Sequence, residues 1–202
     1  IVAAGTILLN LMVSFLAALA IARLRFRGRT VVYNYFIMGM LFPLTVAILP
    51  LYLQLRNLGL IGSLQGVVLS QVAFNIPMSV FILSGFFREV PMELQEATQV
   101  DGGGIYTFGF KVLLPISGPV ISTVTILTFI QSWNQFLLPL LVLDNRTSFT
   151  IPLGVMQYQG QFTSGWNFIM AFITISMIPM VLFYLFLQKY IVSGLTAGAV
   201  KG

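Results

Sequence analysis

Five stretches of the sequence are apolar for about twenty residues or more, and that length decides what the chain can fold into. A helix rises about 1.5 Å per residue, so about 20 residues cross the roughly 30 Å hydrocarbon core of a bilayer. The stretches run from Val2 to Ala22, Val31 to Leu55, Leu64 to Phe87, Ile116 to Leu143 and Asn167 to Lys189. Inside lipid every backbone N–H and C=O needs a partner within the protein, which leaves helices or closed barrels. Barrel strands are about ten residues long and alternate in polarity. These stretches are too long and too continuously apolar for that. The sequence therefore reads as an all-α polytopic membrane protein with five transmembrane helices. Pro43 and Pro50 in the second stretch, and Pro77 in the third, are expected to bend their helices.

Composition narrows the chemistry. Only 7% of residues are charged, against about 25% in a soluble domain. The chain has neither Cys nor His, which removes thiol nucleophiles, Ser-His triads and most zinc, copper and haem sites. A membrane-embedded enzyme would have few groups to work with. The five acids, Glu89, Glu93, Glu96, Asp101 and Asp144, all lie between the apolar stretches. Proton-coupled carriers place such groups inside the membrane. A sodium site built from carbonyls and hydroxyls stays open, so an ion-coupled secondary transporter or channel acting without an ATPase is the alternative reading. No lysine sits in a GxxxxGK[ST] motif. The chain is expected to bind no cofactor and no metal, and any ATP and Mg would sit on a partner subunit.

If the spans alternate, eight of the ten Lys and Arg residues fall on one side and two on the other. The richer side is expected to be cytoplasmic. That puts the visible N-terminus outside and the C-terminus and residues 88–115 inside. Arg23, Arg25, Arg27 and Arg29 read as the orientation signal, with anionic-lipid contact besides and no nucleic acid. Ile1 is apolar and no charged segment precedes it, so the sequence reads as an N-terminally truncated single transmembrane domain, 1–202.

The segment 88–104 differs from the rest, holding four of the five acids. Pro91 suits a first helical turn, and Glu89 and Glu93 favour a helix N-terminus. Gly102 can supply a left-handed stop. The spacing predicts a short helix over Pro91–Asp101, too short to stand without packing. Residues 105–115 read as a second, amphipathic piece along the cytoplasmic surface, with Pro115 and Pro119 turning the chain into the fourth span.

Glu96-Ala97-Thr98, Gly102, Val112 and Leu114-Pro115 resemble the EAA motif of ABC importer permeases. That motif has E-A-A, three residues, G, nine residues, I, one residue, then L-P, and every interval fits. Thr98 stands for the second alanine and Val112 for isoleucine. Asp101-Gly102 and the following glycines are similar to the carbohydrate-uptake type, including the second permease subunit of maltose-type systems. Residues 132–140 (SWNQFLLPL) and 194–202 (GLTAGAVKG) resemble the fourth-span ending and C-terminal tail of that subfamily. The resemblance implies a type I ABC importer permease fold with six spans in the full chain, in a bacterial or archaeal cytoplasmic membrane. It implies a second permease subunit, a cytoplasmic nucleotide-binding ATPase dimer and an external solute-binding protein as partners, and a sugar-like substrate. It makes the loop 88–115 the ATPase-coupling element, carried by Glu96, Ala97, Thr98, Asp101, Gly102, Leu114 and Pro115. In that role Ala97 and Thr98 are small enough for close approach, and Glu96 can meet a cationic partner.

Polar residues within the spans are candidates for a translocation path. In the fourth span Thr128, Gln131, Ser132 and Gln135 fall at i, i+3, i+4 and i+7, beside Trp133 and Asn134. In the third, Gln71, Asn75 and Ser79 share a face. Amides and hydroxyls with a stacking aromatic suit a sugar, and the same residues also bond helices together. The turn-rich segment 144–165 is a candidate docking face for the solute-binding protein.

Overall fold

The computed structural model describes residues 1–144, 148–158 and 165–197, with side chains of the last helix as far as Leu185. Among them there are helices and no strands. In chain order the helices are α1 (Val2–Arg23), α2 (Arg29–Met40), α3 (Leu44–Asn57), α4 (Leu64–Glu89), α5 (Glu93–Val100), α6 (Ile105–Thr107), α7 (Leu114–Ile116), α8 (Gly118–Asn134), α9 (Leu137–Val142), α10 (Ile151–Gly154) and α11 (Trp166–Ala197). A π-helical turn, Phe108–Leu113, joins α6 to α7.

Three described helices are each long and apolar enough to cross a membrane: Val2–Arg23, Leu64–Glu89 and Trp166–Leu185. The other two expected spans are not single rods. The second breaks into α2 and α3, which meet at 105°. Pro43 has no N–H for the Gly39 carbonyl and pushes Phe42 away from helical geometry, so the chain turns there. Pro50 and Pro77 stay inside their helices. The fourth span is bent by 78° at its start, between 105–116 and α8, and interrupted near its end at Gln135-Phe136. Pro139 cannot bond the Gln135 carbonyl, and the Gln135 side chain instead accepts from the Leu137 N–H at 3.2 Å. Counting each bent pair as one span gives five.

α1 shows how a membrane helix inverts the soluble pattern. Its buried stripe carries Thr6, Asn10 and Ser14 at successive i+4 positions. Its outer face carries Leu8 (68% exposed) and Met12 (59%). Lipid is as apolar as Leu, so nothing drives Leu inward and polar groups turn toward partners instead. α1, α4 and α8 pack as a trio. At the end that carries Arg23, an apolar cluster closes around Phe15, Leu19, Leu83, Phe87, Phe108 and Leu113, with Phe15 and Phe87 edge to face at 5.2 Å. At the opposite end Leu55, Val67, Val142 and Leu153 form a second cluster.

α4 begins where Ser63 accepts a 3.0 Å bond from the Gly66 N–H. A side chain on Gly66 would start 2.4 Å from the Leu60 carbonyl oxygen, so the helix entry requires glycine. α11 lies along α8 through stacked Phe129 and Phe183 rings (3.7 Å) and a 3.3 Å bond from the Trp133 indole to the Ser176 carbonyl.

Candidate functional site

The acid-rich segment 88–104 folds as a short helix, shorter at both ends than Pro91–Asp101. α5 spans Glu93–Val100, with Pro91 and Met92 in the turn before it. Glu93 and Glu96 lie in its first turn, where the unpaired N–H groups favour negative charge. Its end is a Schellman stop: the Gly103 N–H reaches the Thr98 carbonyl at 2.8 Å and the Gly102 N–H the Gln99 carbonyl at 3.0 Å. Gly102 takes the left-handed conformation this needs, φ 81°. Gly103 is required for a different reason. A Cβ there would lie 2.7 Å from Thr98 Cγ2 and 2.9 Å from the Thr98 carbonyl oxygen.

The helix has two faces. Gln95 and Thr98 point inward and are buried, Thr98 donating to the Leu94 carbonyl at 2.8 Å. Glu96, Ala97, Asp101 and Gly102 are exposed, as are Val100 (87%) and Tyr106 (70%). Thr98 therefore packs its own subunit and seats Gly103, rather than offering a small contact surface to a partner. Leu114 and Pro115 lie exposed directly after the π-helical turn, and Val112 is half-buried against the apolar cluster at this end.

Arg23 changes character most. Its sequence context is an orientation cluster at the lipid surface, yet its side chain is buried (6% exposed). One guanidinium nitrogen donates to the Phe87 and Val90 carbonyls, the latter at 2.6 Å. The other lies 3.6 Å from the Met92 sulfur, and the group sits 5.5 Å from the Phe108 ring centre. Beside it a polar cleft of about 330 Å³ opens between Arg23, Arg25, Gln95, Glu96 and Gln99. Arg25 and Arg27 are exposed as expected.

The span-four stripe divides. Thr128 and Ser132 turn into the trio. Asn10 donates to Thr128 Oγ1 at 2.9 Å and to Ser79 Oγ at 2.8 Å, and Ser14 donates to the Asn10 oxygen at 3.3 Å. One turn further out, Gln71 Oε1 accepts from Thr6 at 3.0 Å and from Ser132. Asn75 is buried too and bonds the Gln71 carbonyl at 2.7 Å. Thr6, Asn10, Gln71, Ser79, Thr128 and Ser132 join helices, whereas the Asn75 bond stays within α4. Gln131 and Asn134 are exposed on the other side of α8, Gln135 caps the break before α9, and Trp133 packs on Phe129 at 5.4 Å. A cavity of about 300 Å³ at the Ile1 end is lined by Trp133, Ser132, Thr150 and Pro152. Of the outer segment, Arg146 and residues 159–164 lie outside the described residues, as do residues 198–202 of the tail. Among the described residues no cluster of acidic side chains converges to hold a metal ion.

Asn10 and its i±4 neighbours were legible as polar positions in an apolar run. The Gly103 requirement was hinted at by the Gly102-Gly103-Gly104 run. Nothing in the sequence distinguishes Arg23 from the arginines that follow it.

A family model described as the inner membrane component of binding-protein-dependent transport systems matches residues 10–197. The chain belongs to that family. It is 35% identical over 204 residues to the trehalose/maltose transport system permease of Thermococcus litoralis, covering 100% of this chain and 73% of the relative. It is 34% identical over 199 residues to the trehalose transport system permease of Mycobacterium tuberculosis (98% and 73%). It is also 34% identical over 194 residues to the sulfoquinovosyl glycerol transport permease of Agrobacterium fabrum (96% and 68%). A chain in the crystal structure of a bacterial ABC transporter that imports the polysaccharide alginate superposes with a TM-score of 0.81 at 23% identity, over 93% of this chain and 71% of that one. The fold is that of an ABC importer permease, and the chain is a multi-pass membrane transport subunit.

Proposed function

We propose that this chain is one permease subunit of an importer for a sugar or sugar-like solute, worked by a separate ATPase docked on the loop 88–115. The observation that carries the reading is the exposed face of α5. Glu96, Ala97 and Val100 stand outward on a capped helix whose inner face is packed on the bundle. A helix of eight residues is unstable alone. Held from behind and bare in front, it suits a second surface.

In this reading the arginine-rich end is cytoplasmic, residues 1–202 act as one transmembrane unit, and Ile1 faces outward. ATP and Mg bind the ATPase. Closure of the ATPase dimer moves the docked helix, and the spans pass between two rigid arrangements. A second permease faces the exposed side of α8. Gln131 and Asn134 then offer amides to the solute, with Trp133 beside them, while Thr128 and Ser132 hold the wall together and Asn75 is buried behind it. An external binding protein delivers the solute at the Ile1 end. The sugar assignment draws on relatives named for trehalose, maltose and diacetylchitobiose transport.

Glu96→Lys reverses the charge on the docking face, and Gly102→Asp forces a side chain into a left-handed position. Both variants should insert normally and lose solute-stimulated ATP hydrolysis and uptake in the assembled importer. Normal stimulated hydrolysis and uptake in both would refute the docking role.

A further inference from the structure

We propose that Arg23 is a positioning residue for transport, a strut that passes displacement of α5 into α1. This rests on the reading that the loop 88–115 takes the push of an ATPase. A buried guanidinium is expensive unless its donors are met. Arg23 is buried, its Nε is without a partner, and its two terminal nitrogens and its face are met from separate pieces of chain: Phe87 in the last turn of α4, Val90 in the link to α5, Met92 at the entry of α5, and the Phe108 ring in the π-helical turn. The final carbonyls of a helix carry the negative end of its dipole and have no partner within the helix. Arg23 supplies that partner from the last residue of α1.

The result is a joint. The link into α5 and the π-helical turn that follows it both touch one side chain of α1. Beyond it, α1 is fastened to α4 and α8 through Asn10. A displacement of α5 therefore has a directional polar route through Arg23 into the trio. On the other side the cleft between Arg25, Gln95, Glu96 and Gln99 leaves space next to the joint. Arg25 and Arg27 are exposed and Arg29 reaches only the nearby Ala22 carbonyl at 3.2 Å, so charge alone explains them. It does not explain Arg23. A lysine ammonium could meet both carbonyls from one nitrogen, as the guanidinium does, but it has no second nitrogen for the Met92 sulfur and no flat face for the Phe108 ring.

The test uses the whole importer, reconstituted with its ATPase, second permease and binding protein. Import, ATP hydrolysis and the amount of assembled complex are measured for R23Q, R23K and F108L. Expected for R23Q is assembly and basal hydrolysis close to wild type, with ATP consumed per solute imported rising about tenfold, the factor that one lost charge-assisted hydrogen bond represents. R23K can keep the two carbonyl bonds and loses the Met92 and ring contacts, so it should fall between wild type and R23Q. F108L keeps apolar bulk and removes only the ring, and should raise the ratio about threefold. A ratio unchanged in R23Q, or in F108L should R23Q fail to assemble, overturns the strut. So does a parallel fall of import and hydrolysis with the amount of complex, which a purely structural role would give. A wild-type chain that retains no ATPase overturns the docking reading and this one together. Coupled wild type with equally coupled R23Q overturns this one alone.

Discussion

The trio α1–α4–α8 and the bent pair α2–α3 occupy the same membrane and are held in opposite ways. Four side-chain hydrogen bonds cross the trio: Thr6 to Gln71, Asn10 to Ser79, Asn10 to Thr128, and Ser132 to Gln71. α2 has no buried residue at all. It leans on α4 through apolar contact, with Gly39 against Pro77, and at the arginine end through Arg88, whose guanidinium lies 4.4 Å from the Tyr33 ring centre. Lipid supplies no hydrophobic drive between helices, so a surface without polar bonds is free to slide. A polar network has one register. The comparison assigns the trio the part of a rigid body and the pair that of a compliant flank, with the α5 joint fixed to the rigid part.

Substitutions can break or sharpen that contrast. The largest stability effect is expected from Asn10→Leu, which removes the donor that the Ser79 and Thr128 hydroxyls share and the acceptor of Ser14. Thermal unfolding in detergent should show a loss of about 1–2 kcal/mol, near the upper end for polar contacts between membrane helices. Next is the pair Ser79→Ala and Thr128→Val, each costing about 0.6 kcal/mol. Because both bond Asn10, their effects measured with and without Asn10→Leu should be non-additive. Additive losses would mean the hub does not act as one unit. Tyr33→Ala removes the cation–π contact of Arg88 and should cost about 0.5–1 kcal/mol. The smallest effect belongs to the flank. Leu49→Ala, at a position 66% exposed on α3, should shift stability by less than about 0.5 kcal/mol. A loss as large as that of Asn10→Leu would erase the distinction between the two regions.

Much of this was legible in the residues. Length and polarity gave the spans because the bilayer fixes both. Pro77 shows the limit of such reading, since α4 continues through it while Pro43 splits its span. The difference is context: Pro43 follows Gly39 on a helix without buried contacts, whereas Pro77 lies in a helix packed along α1. The capped helix and Gly102 followed from local rules, and the structure agrees. The faces did not. Thr128, Gln131, Ser132 and Gln135 form one stripe only if α8 runs straight through Gln135 and its neighbours lie on one side. The helix stops at Asn134, and α1 takes Thr128 inward while α4 takes Ser132. Thr98 turned inward for a similar reason, because the glycine stop folds the chain back over it. Arg23 was hidden because a buried arginine beside exposed ones has the same letter.

The central claim is that an ATPase docks on the bare face of α5. A photo-crosslinking amino acid placed at Ala97, and separately at the buried Thr98, tests it directly in the assembled importer. The account expects the Ala97 probe to capture the ATPase and the Thr98 probe to react within its own chain. Capture of the external binding protein at Ala97, or of lipid alone, would contradict it.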